Sequence, residues 1–433
     1  MTTPEPVLPA DRVSHYLRPG ILQLGPLPPL SLYVHLPWCL AKCPYCDFNS
    51  HELAPETPPA SPPEGRKPGS GRPVAWLAAA AEIVLPEARY IDALIADLEA
   101  ALPQVWGRPV HSIFIGGGTP SLFSADGIHR LLASIRARLP LLPGCEITLE
   151  ANPGSFERDR FKAFRQAGVN RLSVGVQSFD DAMLQRLGRV HDGAQARAAL
   201  AEAAATFDTF NLDLMYALPG QTLAQLQADL DAALGFKPPH LSIYHLTIEP
   251  NTRFALQPPK NLPDDDLASD MLDAITARTA ALGLQRYEVS AFARPGHRCQ
   301  HNLNYWQFGD YLGIGAGAHG KLSFPHRVVR QVRWREPNMY LAQAPAGQAM
   351  SNDEEVPRAQ LPFEFMLNAL RLRDGFALAD FTARTGLAVT AIARPMAEAE
   401  AKGLLARDFN RAWPTDRGFD FLSDLQALFL PAD

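Results

Sequence analysis

Three of the five cysteines of the chain lie close together, as Cys39, Cys43 and Cys46 in a Cys-x3-Cys-x2-Cys array. Thiolates are the ligands that zinc and iron-sulfur clusters prefer. A closed structural zinc site takes four protein ligands, so it would have to add His35 or His51. A [4Fe-4S] cluster held by three thiolates instead leaves one iron open to an outside ligand, as catalytic zinc keeps one open position. The array therefore favours a cluster with an open iron over zinc.

A glycine-rich stretch, GGGTP at 116–120, follows an apolar run of strand length. It offers backbone N–H groups without bulky side chains, as the close approach of a ligand to the main chain requires. It lacks the lysine of a phosphate-binding P-loop, and a glycine-rich turn by itself is often only a turn. The stretch therefore supports a ligand site only in combination with the cysteines.

The composition is that of an ordinary globular protein. The chain has 433 residues, of which 47% are hydrophobic and 20% charged, and its net charge is -6. This acidic balance gives no electrostatic reason to expect a nucleic-acid partner. We find neither a secretory signal nor the roughly 18 to 20 uninterrupted apolar residues of a membrane span, so we expect a cytoplasmic protein. The cysteines are too few and too clustered for a disulfide framework.

Six apolar runs of strand length alternate with amphipathic helical segments. The runs are SLYVHL at 31, HSIFI at 111, EITLE at 146, RLSVGVQ at 171, FNLDLMY at 210 and LSIYHL at 241. Between them, 91–102 and 222–235 carry apolar residues at the spacing of one buried helix face. This alternation predicts parallel strands joined by right-handed crossovers, as in an α/β barrel or a doubly wound sheet.

Polar residues near the strand ends decide between these two folds. Such residues occur in or directly after five of the predicted strands: Cys39, 116–119, Glu150, Gln177 and Asp213. Barrel enzymes place their chemistry at the carboxyl ends of the strands. Capping of the next helix would explain any one of these residues, but it explains five together less well. We therefore predict a partial (β/α)6 TIM-like barrel.

The predicted barrel occupies 31–300, with an N-terminal extension at 1–30 and a smaller, mostly helical C-terminal domain at 301–433. Proline, glycine, serine and charge dominate 52–75, which predicts a disordered insertion. The Gly- and aromatic-rich stretch at 301–320 is expected to be a loop. The later segments PFEFMLNALRL and LSDLQALFL are expected to be helical.

The cysteine array after a first strand and GGGTP after the second resemble the radical S-adenosylmethionine (SAM) superfamily. Further motifs follow in order: LEANPGS, RLSVGVQSFD, LGRVHD, NLDLMYALPGQT, YEVSAFARPG, HNLNYW and EFMLNALRLRDG. They are similar to the oxygen-independent coproporphyrinogen III oxidase group, and closest to its sister branch, the radical SAM haem chaperones of the HemW type. The resemblance implies a [4Fe-4S] cluster whose open iron is chelated by SAM, which an electron from the cluster cleaves to a 5'-deoxyadenosyl radical.

The resemblance also implies roles for individual residues. Cys39, Cys43 and Cys46 would bind the cluster. Residues expected around SAM are Tyr33, Tyr45, Gly117, Gly118, Thr119 and Glu150. Three further residues match positions that line a second SAM site in the oxidase branch: Gln177, Arg189 and Asp213. For the last two, a partly buried ion pair that braces the strand ends is an equally weighted alternative.

Two features separate the branches. The oxidases continue the array as Cys-x-Cys, whereas this chain has Phe48 at that position. HNLNYW resembles the His-Asn-x-x-Tyr-Trp signature of the chaperones and implies haem contacts from His301, Asn302, Tyr305 and Trp306. A neutral imidazole at His301 could be an axial ligand, and the aromatic rings could cover a porphyrin. The alternative is an aromatic clamp between the barrel and the C-terminal domain, with His301 only hydrogen-bonded.

We therefore predict a protein that binds haem as cargo and delivers it to haem-requiring acceptors, including membrane-bound respiratory enzymes. The family also implies a homodimer promoted by cluster binding and membrane contact through the acceptors. The alternatives are an oxygen-independent coproporphyrinogen III dehydrogenase, which converts two propionates to vinyl groups, and a structural zinc protein. Cys299 is expected to be an ordinary buried residue. GIGAGAHG is not a dinucleotide fingerprint, because no acidic residue follows at the ribose-binding distance.

Overall fold

The computed structural model describes residues 22–53, 85–154 and 160–431. The extension predicted at 1–30 lies outside the described residues up to position 21. The insertion predicted at 52–75 lies outside them from position 54 onward.

Six parallel strands form the predicted partial barrel. They are β1 (Leu30–Leu36), β2 (Val110–Gly117), β3 (Leu141–Ala151), β4 (Arg171–Gln177), β5 (Thr209–Tyr216) and β6 (His240–His245). Each strand pairs in parallel with the next one in chain order. Six of the seven residues of β1 are buried, as expected for a parallel strand covered on both faces. The prediction of an α/β fold built on a parallel sheet is confirmed.

Helices alternate with these strands. They are α1 (Glu87–Val105), α2 (Ala125–Arg138), α3 (Phe161–Ala167), α4 (Asp181–Arg186), α5 (Gly193–Thr206), α6 (Leu223–Gly235), α7 (Arg253–Leu256) and α8 (Asp265–Ala281). Helix α1 buries Ile91, Leu94 and Leu98 at helical spacing. Capping boxes at Asp192 and Thr222 fix the starts of α5 and α6, directly after two of the strand-end segments that carry polar residues. The buried faces of helices and strands form one hydrophobic core.

The sheet continues on both of its edges, and beyond β1 it does so with strands that follow residue 300. Its further strands are β7 (Ala291–Ala293), β8 (Asp310–Ile314), β9 (His319–Phe324), β10 (Arg327–Arg333) and β11 (Met350–Glu355). Strand β8 pairs in parallel with β1, and β9, β10 and β11 follow it in antiparallel order. Strand β7 pairs with β6, and the short strand Gln285–Arg286 pairs with β7.

The prediction of a loop at 301–320 is wrong. This stretch contains most of a helix, α9 (Gln300–Trp306), all of β8 and the start of β9. Tertiary contacts create both kinds of element here, because α9 packs against β1, β2 and β8 and β8 gains its hydrogen-bond partners from β1.

From residue 337 onward the chain is mostly helical, as predicted for the C-terminal region. Its helices are α10 (Pro337–Gln343), α11 (Leu361–Ala369), α12 (Leu378–Thr385), α13 (Ala393–Ala401), α14 (Asp416–Asp420) and α15 (Leu422–Ala427). A small sheet joins Phe376–Ala377, Arg411–Pro414 and Leu405–Arg407. A second hydrophobic cluster forms around Phe365 and Phe381. The domain division at residue 300 stays a prediction, and strands of 310–355 hydrogen-bond into the barrel sheet.

Buried charges join β8 to the rest of the sheet. Asp310 at the start of β8 is fully buried and lies 3.0 Å from Lys321 Nζ and 2.8 Å from Arg108 Nη2. Its carboxylate also accepts a hydrogen bond from the Ser323 N–H, at 2.9 Å. These cations and hydrogen bonds hold the pKa of Asp310 below its usual range. Within the described parts of the chain, no helix combines the length and apolar character needed to cross a membrane.

Candidate functional site

The three clustered cysteines lie in a loop that begins directly after β1. Trp38 and Cys39 form a two-residue strand that pairs with His51 and Glu52, so the loop closes on itself. The Trp38 ring packs edge-on against Tyr90 of α1, with 4.7 Å between ring centroids. The loop is therefore anchored at the carboxyl end of β1, where the sequence places Cys39.

Each cysteine sulfur has a hydrogen-bonding side chain beside it. The pairs are Thr119 Oγ1 with Cys39 Sγ at 3.4 Å, Arg189 Nη1 with Cys43 Sγ at 3.5 Å, and Ser50 Oγ with Cys46 Sγ at 3.5 Å. Burial raises the pKa of Cys39 to about 11, so the thiol keeps its proton in the absence of a metal. Donors aimed at sulfur stabilise the thiolate form that metals bind, and Arg189 adds a positive charge. This donor set fits an iron-sulfur cluster.

A zinc site would need a histidine as its fourth ligand. Both ring nitrogens of His35 are already hydrogen-bonded, Nδ1 to the Tyr33 hydroxyl and Nε2 to the Asn49 carbonyl oxygen, each at 2.9 Å. His51 Nε2 lies 3.3 Å from Asn49 Oδ1. Across residues 22–53, 85–154 and 160–431, no three Cys, His, Asp or Glu side chains converge on one metal position. A four-iron cluster does not need such convergence, because each thiolate binds a different iron.

Gly117 and Gly118 pack against the cysteine loop itself. A Cβ on Gly118 would lie 2.5 Å from the carbonyl oxygen of Trp38, and a Cβ on Gly117 would lie 2.7 Å from the His35 ring. Gly117 also has a φ of +117°, which glycine adopts without strain. The N–H of Thr119 donates to the Trp38 carbonyl oxygen at 2.7 Å. The glycines therefore allow the end of β2 to lie directly against the loop that carries the cysteines.

Two carboxyl groups lie partly buried in the barrel interior. Glu150 accepts a hydrogen bond from the Gly117 N–H at 3.1 Å, and burial together with the nearby Asp213 raises its pKa to about 8. Burial also raises the pKa of Asp213, although it accepts hydrogen bonds from Asn211 at 2.7 Å and Ser173 at 3.1 Å. A cationic group or a hydroxyl donor placed here would restore the charged, hydrogen-bonded form of these carboxyls.

Arg189 does not form the ion pair that was the alternative to ligand contact. Its Nη2 donates to Asn152 Oδ1 at 2.6 Å and to the Gly175 carbonyl oxygen at 2.8 Å. Among the ion pairs of the described residues, none joins Arg189 to Asp213. Gln177, at the end of β4, has a φ of 70°, a strained conformation for a residue with a side chain. Such strain is characteristic of functional sites.

Most of the predicted site residues face one cavity of about 360 Å³ inside the barrel. Those that line it are Cys39, Cys43, Tyr45, Cys46, Gly117, Gly118, Thr119, Glu150, Gln177, Arg189, Asp213 and Asn302. Tyr33 is not among the lining residues, since its hydroxyl bonds to His35 and its ring stacks on Phe114. The volume lies in the range of small-molecule sites. The three cysteines and, apart from Tyr33, the residues expected around SAM are therefore brought together.

The HNLNYW motif forms α9, and its histidine is buried, with 1% of its surface exposed. His301 Nδ1 lies 3.0 Å from the Ser112 hydroxyl and Nε2 lies 3.1 Å from the Tyr305 hydroxyl. Burial, helped by the charge of Arg171, lowers its pKa to about 3, so the ring is neutral. The ring also stacks on Phe114 at 5.1 Å. Ligation of haem iron by His301 would require one of its two hydrogen bonds to break.

The other members of the motif point in different directions. Asn302 faces the cavity. The guanidinium carbon of Arg371 lies 4.2 Å from the centroid of the Trp306 ring. The ring also packs against the cluster that contains Leu372, which belongs to the C-terminal region. The ring of Tyr305 meets Tyr311 edge-on, with centroids 4.3 Å apart. This arrangement resembles the aromatic clamp more than an open porphyrin surface, and haem contact by these four residues stays a prediction.

Several cavity residues were missed from the sequence. They are Asn152, Arg171, Ser173, Asn211, His240, Ser242 and Tyr244. The alternation of side chains along a strand would have found most of them, because residues two apart share a face. Counting back from Gln177 along β4 reaches Ser173 and Arg171. Asn152 bridges the site, since it accepts from Arg189 and donates to Thr119 Oγ1 at 2.9 Å.

Comparisons with known proteins agree with this geometry. The family model of the Radical SAM superfamily matches residues 33–233, and that of the HemN C-terminal domain matches residues 356–421. The fold and the three-cysteine cavity are those of a radical SAM protein. A solved structure with a similar fold is the coproporphyrinogen III oxidase HemN of Escherichia coli, described as a radical SAM enzyme. It has a TM-score of 0.74 at 22% identity and covers 98% of this chain and 93% of its own.

Curated relatives define the family more narrowly. The Escherichia coli protein named "Heme chaperone HemW" is 45% identical over 406 residues, covering 93% of this chain and 99% of its own length. Proteins of the same name are 44% identical in Haemophilus influenzae, over 93% of this chain and 98% of theirs, and 36% identical in Mycobacterium tuberculosis, over 91% and 94%. The chain belongs to the HemW family of radical SAM proteins. The resemblance inferred from the motifs is thereby confirmed.

Proposed function

We propose that this chain binds haem and delivers it to haem-requiring acceptor proteins. The observation that carries the proposal is the 45% identity, over 93% of the chain, to a protein named for haem chaperone function. We further propose that it acts in the cytoplasm, that its acceptors include membrane-bound respiratory enzymes, and that it reaches the membrane only through them. A homodimer promoted by the cluster is part of the same proposal.

In this proposal the cavity holds a [4Fe-4S] cluster and SAM. Cys39, Cys43 and Cys46 bind three irons, and together the bound groups supply one-electron chemistry that side chains lack. Arg189 balances the negative charge of the thiolates from 3.5 Å. Glu150, whose pKa burial raises to about 8, offers oxygen atoms for hydrogen bonds with the ligand, and a nearby cation favours its charged form.

The alternative function, coproporphyrinogen III decarboxylation, is disfavoured by Phe48. This side chain is 61% exposed at the rim of the cavity and takes the position of the fourth cysteine in the oxidase branch. A phenyl ring cannot replace a thiolate. The likeness to the solved oxidase, at 22% identity, concerns the fold alone.

The experiment is an anaerobic titration of cluster-reconstituted protein with haem, followed by mixing with a haem-free acceptor. We expect a saturable Soret band and transfer of haem to the acceptor. In parallel, coproporphyrinogen III, SAM and a low-potential reductant are added, and tetrapyrroles and 5'-deoxyadenosine are quantified. Turnover to the divinyl product, with no haem binding, would contradict the proposal.

A further inference from the structure

Arg171 occupies an unusual position at the inner end of the cavity. It begins β4 and lines the cavity, yet only 3% of its surface is exposed. Its Nε is buried and has no hydrogen-bond partner among the residues that the structure describes. Buried polar groups in folded proteins are normally hydrogen-bonded, because an unmade bond leaves the cost of desolvation uncompensated. A buried guanidinium with an unmade hydrogen bond is suited to bind a ligand that carries a hydrogen-bond acceptor.

The carboxylates that face Arg171 do not fill this role. Glu146 is the nearer one, with Oε2 at 3.8 Å from Arg171 Nε. Its oxygens are already used by the N–H groups of Gln300 at 3.1 Å and His301 at 3.2 Å, and by the Cys299 thiol at 3.5 Å. Asp213 accepts its hydrogen bonds from Asn211 and Ser173, and burial raises its pKa. Both stabilise the charge of Arg171 from a distance without accepting a hydrogen bond from its Nε.

The methionine carboxylate of SAM at the cluster is also out of reach. Arg171 and Gln177 stand at opposite ends of β4, six residues and therefore about 20 Å apart along the strand. The cysteines lie at the Gln177 end, beyond the carboxyl ends of the strands. An anion that binds Arg171 is thus a second one, distinct from a carboxylate bound beside the cluster.

The surroundings of Arg171 connect it to the HNLNYW helix. Glu146 holds the first two N–H groups of α9 and lies against Arg171, and Asn302 of the same helix faces the same cavity. We infer that Arg171 and Asn302 form a carboxylate subsite that takes a propionate of haem. A planar guanidinium matches a carboxylate with two parallel hydrogen bonds, and an amide NH2 supplies a third donor. The inference rests on the proposed function and identifies which part of the cargo this chain recognises.

The test compares haem with haem dimethyl ester, in which both propionates are blocked, on cluster-reconstituted full-length protein. We expect the wild type to bind haem at least about tenfold more tightly than the ester, as loss of a charge-assisted hydrogen-bond pair predicts. Arg171→Gln should bind both ligands with the affinity that the wild type has for the ester. Arg171→Lys keeps the charge without the planar fork and should retain part of the preference.

The matched control is Arg165→Gln, which removes an exposed arginine paired with Asp208 outside the cavity. It should keep the full preference and the wild-type melting temperature, and the iron content of all variants should match that of the wild type. Equal wild-type affinities for haem and ester would overturn the inference but not the proposed function. Failure to bind either ligand would overturn the proposed function. Loss of the preference on adding SAM would assign the anion at Arg171 to SAM and overturn the inference as well.

Discussion

Glu146→Gln tests how α9 is held against the barrel. Glu146 is mostly buried and binds the first two N–H groups of the helix, at 3.1 Å for Gln300 and 3.2 Å for His301. Glutamine keeps the shape but turns an NH2 group toward one of these donors and removes the charge 3.8 Å from Arg171. Loss of one hydrogen bond to a charged acceptor, together with a less well compensated buried cation, should cost about 2–4 kcal/mol of unfolding free energy.

The assay combines urea unfolding of the metal-free protein with hydrogen exchange of the 300–306 amides. We expect a lower unfolding midpoint with an unchanged slope, and exchange in α9 that accelerates more than elsewhere in the sheet. The double variant Glu146→Gln/Arg171→Gln should be less unstable than the sum of the single variants, by at least about 1 kcal/mol, because the two side chains interact.

Glu99→Gln is the matched control for this prediction. It removes a half-exposed carboxylate paired with Arg138, a surface ion pair that should contribute under about 1 kcal/mol. If Glu146→Gln changes stability no more than this control and leaves exchange of α9 unchanged, Glu146 does not anchor the helix. If the stability losses of the two single variants add up to that of the double variant, Glu146 and Arg171 act independently.

Three further predictions concern the loop, the pH dependence and the sheet. Gly118→Ala should displace the cysteine loop and lower iron content after reconstitution, whereas Gly25→Ala, whose Cβ would meet nothing within 4 Å, should not; equal iron in both would refute this. The pKa of Glu150 rises from 4.5 to about 8 on folding, so the folded state holds a proton that the unfolded state releases. The metal-free protein should therefore lose stability as the pH is raised from 4.5 to about 8, and thermal melts of Glu150→Gln should lack that loss. Asp310→Asn should cost about 3–5 kcal/mol by leaving Lys321 buried without its counter-charge, and addition of Lys321→Met should recover much of it in urea melts; a double variant as unstable as the single would contradict this.

The strands could be predicted because their signal is local. RLSVGVQ at 171 coincides with the bounds of β4, since a buried parallel strand is a short apolar run between polar segments. Helix α9 could not be predicted in this way, because it is short and its first N–H groups bind Glu146, which is distant in sequence. Strand β8 was hidden by Gly313 and by the glycines that flank it, and its parallel partner β1 lies at the other end of the barrel sequence.

The site was predictable to the extent that motifs carry it. The cysteines and GGGTP are contiguous, and most of the residues inferred from them face one cavity. The state of His301 was not predictable, because its partner Ser112 lies in β2, far from α9 in sequence, and only the fold brings them to 3.0 Å. Arg171 was missed because a charged residue at the start of a strand usually points to solvent, whereas a partial barrel turns it inward.

The position of β8 has a consequence for biosynthesis. β1 is made before the other five barrel strands, yet one of its two neighbours, β8, is made only after the whole barrel. Until residues 310–314 emerge, one edge of β1 has unpaired backbone groups, and the cysteine loop follows directly after this partly paired strand. Nascent thiols are then exposed to oxidation and to misplaced metals. A cell would gain from inserting iron and sulfide only after translation has ended.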